Sequence, residues 1–321
     1  MTRPSIAPSS RVSIVVPAYN YERYIARAIE SALAQDYQPI EILVVNDGST
    51  DQTATIAAAF ESQGVRLINQ PNQGLAAARN TGIANTTSDL LLFLDADDFL
   101  EPHAVSTMMS AFDQLDASWG LVACQAKVLL NEGPIITPDT GPQSPTEFTW
   151  TDLMFGSRFP CCVLIRRSVF QECGPFDAAY HRLGCEDRDM WLRVAEAFRI
   201  WSIPDRLVVV AIHGANMSSN PSRQLAGIRR CLTKALTSQK APRARLTFRL
   251  QVWAVYHASA SLLHGEAGDH ALSASHALIS MFLWPLPGLS RLAGRPPGFR
   301  ARRLAIAVRD GFHLQHQSSS Q

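Results

Sequence analysis

Three aspartates fall within four positions at Asp95-Ala96-Asp97-Asp98. Carboxylates this close repel one another unless a cation or hydrogen-bond donors offset their charge. Hard oxygen ligands of this kind select Mg2+ or Mn2+, ions that usually share their coordination with substrate phosphates. The plainer alternative is that the acids cap the next helix, with Glu101-Pro102 in its first turn. Asp47, in Asn46-Asp47-Gly48, can accept a hydrogen bond from a base N–H or simply close a turn. Arg79 can supply a cation for phosphates, or else belong to a solvated helix face. Farther on, Glu186, Asp187 and Asp189 precede Met190, Trp191, Val194, Ala195 and Phe198, an apolar helical face. Those acids therefore sit at a helix N-terminus, where the dipole favours their charged form and capping alone would explain them. His213 follows a strand-like run, Val208 to Ile212; a lone histidine in such a place is ordinarily structural.

The elements that must position these groups alternate in type. Val12 to Val16, Ile40 to Val45, Val65 to Ile68 and Leu90 to Leu94 read as buried strands. Between them, Glu22 to about Gln35 has an amphipathic period, and a helix carrying Ile56 and Phe60 can be capped by Ser49, Thr50 or Asp51. An alanine-rich helix spans about Leu75 to Ala84. The order β-α-β-α-β-α-β predicts a parallel sheet with helices on both faces. Ligands bind such sheets at the carboxyl ends of strands, where the strand order reverses. Pro17-Ala18-Tyr19-Asn20, Asn46-Asp47-Gly48-Ser49 and Asp95-Ala96-Asp97-Asp98 all fall at those ends. That placement favours ion and phosphate binding over capping. No GxGxxG follows the first strand and no GxxxxGK[ST] occurs, so a dinucleotide fingerprint and a P-loop are both excluded. A metal at Asp97 and a cation such as Arg79 would hold phosphates instead.

Composition narrows the class further. The 321 residues are 46% hydrophobic with a net charge of +1, an ordinary globular balance with no overall pull toward nucleic acid. Six scattered cysteines without a CxxC pair argue for reduced thiols rather than a zinc site or disulfide framework. Met1 to Ser10 lacks the apolar core of a secretory signal, and no apolar run reaches the ~18 residues of a membrane helix. A cytoplasmic chain is expected.

Four segments in order resemble one family: Val12–Asn20 (VSIVVPAYN), Val45–Asp51 (VNDGSTD), Asn72–Asn80 (NQGLAAARN) and Leu94–Asp98 (LDADD). They are similar to the family 2 glycosyltransferases of the GT-A fold, over about residues 11 to 218. The resemblance implies an α/β fold: a Rossmann-like doubly wound mixed sheet with a helical C-terminal extension. It implies an inverting transfer of sugar from a UDP-sugar, or another nucleotide-diphospho-sugar donor, to a hydroxyl of a glycan or lipid-linked acceptor. By that resemblance Pro17, Ala18 and Tyr19 line the nucleoside pocket and Asp47 binds the base beside Asn46. Arg79, Asp95 and Ala96 lie along the nucleotide, with Asp95 facing the ribose. Asp97 ligates Mg2+ or Mn2+, and His213 stands as a second ligand. Asp187 is the general base, supported by Glu186 and Asp189. One departure is Asn46, where the family often has an acid, which leaves the base more open.

The expected organisation is a disordered N-terminus (1–10), a glycosyltransferase domain (11–220, with a nucleotide-binding half to 100 and an acceptor-side half from 101), a helical extension (221–314) and a disordered tail (315–321). Asn131 to Glu147 reads as a loop and Arg158 to Phe170 as an acceptor-side strand. In the extension, Ala277 to Leu289 is apolar and stands beside Arg291, Arg295, Arg300, Arg302 and Arg303. Such a segment can rest on the cytoplasmic face of an anionic membrane. Alternatively it packs as a helical extension, with Met281, Phe282 and Trp284 in its core. A sugar nucleotidyltransferase, or a non-catalytic glycan-binding protein on the same fold, are the rival functions.

Overall fold

The computed structural model describes residues 10–138, 141–155, 162–214, 220–238, 240–241, 246–285 and 299–318. They fall into two compact units, Met1–Thr149 with Arg158–Arg182 and Glu186–Asn216, and Trp150–Ser157 with Leu183–Cys185 and Met217–Gln321.

The first unit is built on a mixed sheet. Strands β1 (Val12–Ala18), β2 (Ile40–Asn46), β3 (Val65–Asn69) and β4 (Leu90–Phe93) alternate with helices α1 (Ile25–Leu33), α2 (Thr53–Ala58) and α3 (Leu75–Ala84). All four strands are parallel, in the order β3-β2-β1-β4, with Val12 level with both Ile40 and Leu90. Every residue of β1 and β4 is buried, as an unbroken apolar strand covered on both faces must be. The order reverses between β1 and β4, which opens the carboxyl ends of β1, β2 and β4 on one edge.

Helix α1 starts at Ile25 rather than Glu22, because the preceding turn is committed to the β2–α2 loop. There the Glu22 backbone N–H donates to Asp51 (3.1 Å) and its carboxylate accepts from the Gln52 N–H (3.0 Å). Asp51 is the effective cap of α2, accepting from both the Thr53 N–H and hydroxyl.

The sheet continues through β5 (Phe99–Leu100), α4 (Ala104–Phe112), β6 (Trp119–Leu130), β7 (Ile135–Ile136), β8 (Thr146–Phe148), β9 (Val163–Arg166), α6 (Arg167–Cys173), α7 (Glu186–Ala197) and β10 (Arg199–Ile212), with α5 (Trp150–Phe155) preceding β9. Strand β9 lies antiparallel between β4 and β6, and β10 runs parallel to β6. The segment 131–147 is not wholly a loop: β7 pairs with β6, and β8 with β10, so their backbone groups are satisfied by the long strands. Strand β10 begins nine residues before the expected Val208. Its register shifts between Ser202 and Val208, around Pro204, and such irregularities are where a proline is tolerated in a sheet. Of the acceptor-side segment expected at 158–170, residues 158–161 lie outside the described residues; the remainder forms β9 and the start of α6.

The second unit contains α5, α8 (Pro221–Ala235), α9 (Leu246–Glu266), α10 (His270–Leu283) and α11 (Phe299–Ser318). The Trp150 and Phe155 rings of α5 pack on Phe248 of α9, with centroids 6.1 and 5.7 Å away. Gly227 lets α8 press against the chain at 183–185, since a Cβ there would lie 2.5 Å from the Gly184 carbonyl oxygen. Three expectations change here. Phe282 is 87% exposed rather than core, because α10 buries Ser273, Ala277 and Ser280 and Phe282 lies off that stripe. Arg300 and Arg303 do not face outward together: Arg300 donates to the Ser280 carbonyl (2.9 Å), and Arg303 to those of Ser261 and Leu262. Helix α11 carries the chain through 315–318, where a disordered tail was expected. The N-terminal residues 1–9 and the arginines at 291 and 295 lie outside the described residues.

Candidate active site

The acids after β4 do not cap α4. Its N-terminus receives no side-chain hydrogen bond at His103, and Glu101 pairs with Lys127 at 2.7 Å. Instead each acid has a separate partner. Asp98 accepts from the backbone N–H of Ala211 on β10 (2.9 Å). Asp97 meets His213 Nε2 through Oδ2 at 3.2 Å. Asp95 accepts from Arg79 at 2.7 Å. The result is a charged edge joined to the end of β10, more than a hundred residues away in sequence.

Arg79 is the centre of this arrangement. It is 1% exposed, so it is not on a solvated face. One guanidinium nitrogen donates to Asp95 and another to Glu186, both at 2.7 Å. The guanidinium also lies over the Phe176 ring, 5.4 Å from its centroid. Arg79 thereby fastens the acidic segment after β4 to the first turn of α7, where Asp187 follows Glu186. Burial raises the Glu186 carboxyl, against the opposing charge of Arg79. Burial likewise raises Asp187, which Arg79 and the Arg188 N–H partly restrain. Asp189 serves the frame: it accepts from Tyr180 and pairs with Arg193, whose other nitrogens hold the carbonyls of Cys173, Gly174 and Pro175.

Asp47 is buried, and its two oxygens already accept three donors: the Gln70 amide (2.7 Å) and the backbone N–H groups of Gln73 (2.9 Å) and Gly74 (2.7 Å). It therefore braces the β3–α3 loop. Asn46 bonds Asn69 and the Ser49 N–H, joining β2 to β3 and to its own turn. Pro17, Ala18 and Ala96 are buried, and Tyr19 beside them is 44% exposed. Asn20 (φ 59°) crosses to the β2–α2 loop through Ser49 and Thr50.

Tyr21, Tyr24 and Arg27 also join the site, although none was expected from the sequence. The Tyr24 ring stacks on His213 at 4.5 Å and 9° and so fixes the imidazole plane. The Tyr21 hydroxyl donates to Asp97, and burial with the neighbouring carboxylates drives its pKa well up, so it remains a donor. Arg27 donates to the Asp97 carbonyl (3.2 Å) and lies over Phe99. The aromatic pattern Tyr19-x-Tyr21 at the end of β1 was the available signal.

Burial and the Asp95 charge push Asp97 up to about 6, partly offset by His213. Burial and both neighbouring acids raise Asp98 strongly. Among the described residues no cluster of three or more His, Cys, Asp or Glu side chains could enclose an ion. A paired carboxylate and imidazole fit an Mg2+ or Mn2+ that completes its coordination with substrate phosphate and water.

A doubly wound sheet with this acidic edge and a mixed second half defines a GT-A nucleotide-sugar transferase fold. Residues 13–174 match the family described as Glycosyl transferase family 2, and the chain belongs to that family; it is a glycosyltransferase. It is 30% identical over 221 residues to an uncharacterized glycosyltransferase of Rickettsia prowazekii (strain Madrid E), covering 68% of this chain and 69% of that one. It is 31% identical to an uncharacterized glycosyltransferase of Nostoc sp., covering 64% and 66%. Among solved structures, S. aureus TarS 1-349 in complex with UDP-GlcNAc matches with TM-score 0.62 and 18% identity over 96% of this chain and 92% of that one. The mannosyltransferase PcManGT from Pyrobaculum calidifontis, in complex with GDP-Man and Mn2+, matches with TM-score 0.59 and 19% identity over 96% and 89%. At these identities the two structures establish the shared fold.

Proposed function

We propose that this glycosyltransferase moves a sugar from a UDP-sugar, or another nucleotide-diphospho-sugar, to a hydroxyl of a glycan or lipid-linked acceptor, with inversion, in the assembly of surface polysaccharide. The observation that carries this reading is the Arg79 bridge between Asp95 and Glu186, which supports one cleft for the donor-side acids and the α7 carboxylates. The TarS complex with UDP-GlcNAc and the PcManGT complex with GDP-Man and Mn2+ support a nucleotide-sugar donor on this fold.

In this reading Tyr19 offers the nucleoside an aromatic face beside Pro17 and Ala18, while Asp47 and Asn46 shape the pocket wall. Asp95 faces the ribose, with Ala96 leaving room beside it. Asp97 and His213 would hold Mg2+ or Mn2+, which neutralises charge on the departing diphosphate. Arg79 keeps its own charge near that leaving group. Asp187 takes the acceptor hydroxyl's proton as its oxygen attacks the anomeric carbon; burial makes this carboxylate a stronger base than one in water. The new C–O bond forms as the bond to the diphosphate oxygen breaks on the opposite face. The nucleoside diphosphate departs, and Asp187 returns the proton to solvent.

A donor panel with Mn2+, scored for nucleoside diphosphate release, tests the reading. Asp97→Ala and Asp187→Asn should each lose release by at least 100-fold, a barrier increase of about 2.7 kcal/mol, with folding kept. Release of pyrophosphate instead would establish nucleotidyl transfer and defeat the proposal.

Peripheral contact with the cytoplasmic membrane face is supported by the exposed Leu272, Leu278, Ile279 and Phe282 on α10. Among the described residues no helix is long and apolar enough to cross a membrane. Flotation with anionic vesicles at low salt should be lost in Phe282→Ser/Ile279→Ser; a wild-type chain that ignores the vesicles rules the contact out.

A further inference from the structure

The turn that leads into α1 touches both residues assigned to the divalent ion. Tyr24 occupies the N-cap of α1 and makes no capping hydrogen bond there. Ser, Thr, Asp and Asn stabilise such a position by about 1 kcal/mol relative to alanine. A local preference given up in this way marks a residue placed for another contact. That contact is His213: the two rings stack with centroids 4.5 Å apart and 9° between their planes. A ring stacked on the face of an imidazole restrains it without entering the ring plane, where the nitrogen lone pair lies. His213 Nε2, which meets Asp97 Oδ2 at 3.2 Å, is therefore aimed without being covered by its restraint.

Tyr21 builds the same turn. Its carbonyl accepts from the N–H groups of Tyr24 and Ile25, both at 2.9 Å, and its own N–H donates to the Thr53 hydroxyl (2.8 Å). Thr53 is fully buried at the start of α2, so the turn is pinned to a second helix. The Tyr21 and Tyr24 rings meet edge to face, with centroids 6.3 Å apart. From this frame the Tyr21 hydroxyl donates to the Asp97 carboxylate. Arg27, in the first turn of α1, holds the Asp97 carbonyl at 3.2 Å. The His213 end is fixed separately, since Asp98 binds the Ala211 N–H (2.9 Å) two residues before it. We propose that Tyr21 and Tyr24 are positioning residues for the divalent ion: Tyr24 sets the imidazole plane of His213, Tyr21 sets the carboxylate of Asp97, and neither touches the ion. The inference rests on the assignment of Asp97 and His213 to that ion. Partners of this kind hold a ligand in the orientation the metal needs, and losing one ordinarily weakens metal binding by about 10–100-fold.

Mn2+ alone, titrated into the full chain, tests the inference without any sugar transfer. Free Mn2+ is read by electron paramagnetic resonance. Occupancy of the site is read by paramagnetic broadening of the His213 ring signal, identified by its loss in His213→Gln. Tyr21→Phe removes one hydroxyl and Tyr24→Leu removes the stacking face; each should weaken Mn2+ binding by about tenfold or more. Tyr24→Phe keeps the face and should stay within about threefold of wild type. Thermal melts establish that each variant is folded at the temperature of the titration. Wild-type affinity in Tyr21→Phe and Tyr24→Leu, or equal losses in Tyr24→Phe and Tyr24→Leu, overturns the inference and leaves the ion site standing. Mn2+ that binds Asp97→Ala as tightly as wild type, or leaves the His213 signal sharp, removes the ion site and the inference with it.

Discussion

Removing Arg79 leaves two carboxylates facing each other across the cleft, and the penalty follows from what stays behind. Glu186 is 5% exposed and has no route to water when its partner is deleted. Breaking a buried pair from one side costs about 3–5 kcal/mol. Arg79→Ala should therefore lower stability by about that amount in urea denaturation, and Arg79→Lys should recover only part of it, since one ammonium cannot fork to both Asp95 and Glu186. Full recovery by lysine would mean that the bridge is two independent point charges. Asp97 gives the opposite sign. Its carboxyl is pushed up to about 6 from 3.8. Between those values the folded chain holds a proton that the unfolded chain has released, so stability falls as pH rises through the window. Roughly two units at 1.36 kcal/mol each set a ceiling of about 3 kcal/mol at pH 7. In EDTA, Asp97→Asn should be more stable than wild type at pH 7, lose that advantage by pH 4, and be inactive with metal at either pH. A wild type as stable as the variant at pH 7 would show that Asp97 carries no such strain.

At the scale of elements, the β3–α3 loop is held by one carboxylate and one glycine. Asp47 takes the N–H groups of Gln73 and Gly74. Gly74 has φ +90°, and a Cβ there would lie 2.0 Å from His181 Nδ1. Gly74→Ala must strain the backbone, shift His181, or release the loop; strain of this kind costs about 1–3 kcal/mol. Donor KM should rise, with the loop's amide protons exchanging faster; an unchanged KM would separate the loop from donor binding. Helices α9 and α10 meet through His257 and His276, whose Nδ1 atoms lie 2.7 Å apart, with His264 stacked on His276 and Tyr256 edge-on to His257. Burial and the His276 charge hold His257 down to about 4. As pH falls from 6.5 toward 4 the unfolded chain takes up a proton that the folded chain refuses, so stability contributed by this pair is lost in that window. Thermal melts of His257→Phe should show a shallower fall between pH 7 and 5 than wild type; parallel slopes would assign the acid sensitivity elsewhere.

Over the whole molecule, legibility followed the range of the interactions. Strands β1 to β4 were readable because each is a continuous apolar run closed by polar residues, and α3 because its alanines begin just after Gly74. The sequence marked Arg79 as a candidate cation, but its burial and its bridge to Glu186 were not readable: on an alanine-rich helix an arginine looks solvated, and Glu186 lies 107 residues away. The stack of Tyr24 on His213 and the bond from Ala211 to Asp98 are equally long-range. Pro204 and the shifts of register around it hid the first half of β10. The second unit was hardest to see because it is threaded from three stretches of chain, so no boundary in sequence marks it. This has a direct consequence for any shortened form. The family match ends at residue 174, and a chain cut after residue 220 keeps α5 but loses Phe248 and the rest of α9. Trp150, Leu153, Met154 and Phe155 of α5 are all buried. Each aromatic ring buries about 150–250 Å², or roughly 4–6 kcal/mol apiece at 25 cal/mol/Å². Exposing that face should make the 1–220 fragment bind anilinonaphthalene sulfonate and aggregate, and Trp150→Ser/Leu153→Ser/Phe155→Ser should restore its solubility. A monomeric 1–220 fragment that binds no dye would show that α5 does not depend on α9 for its cover.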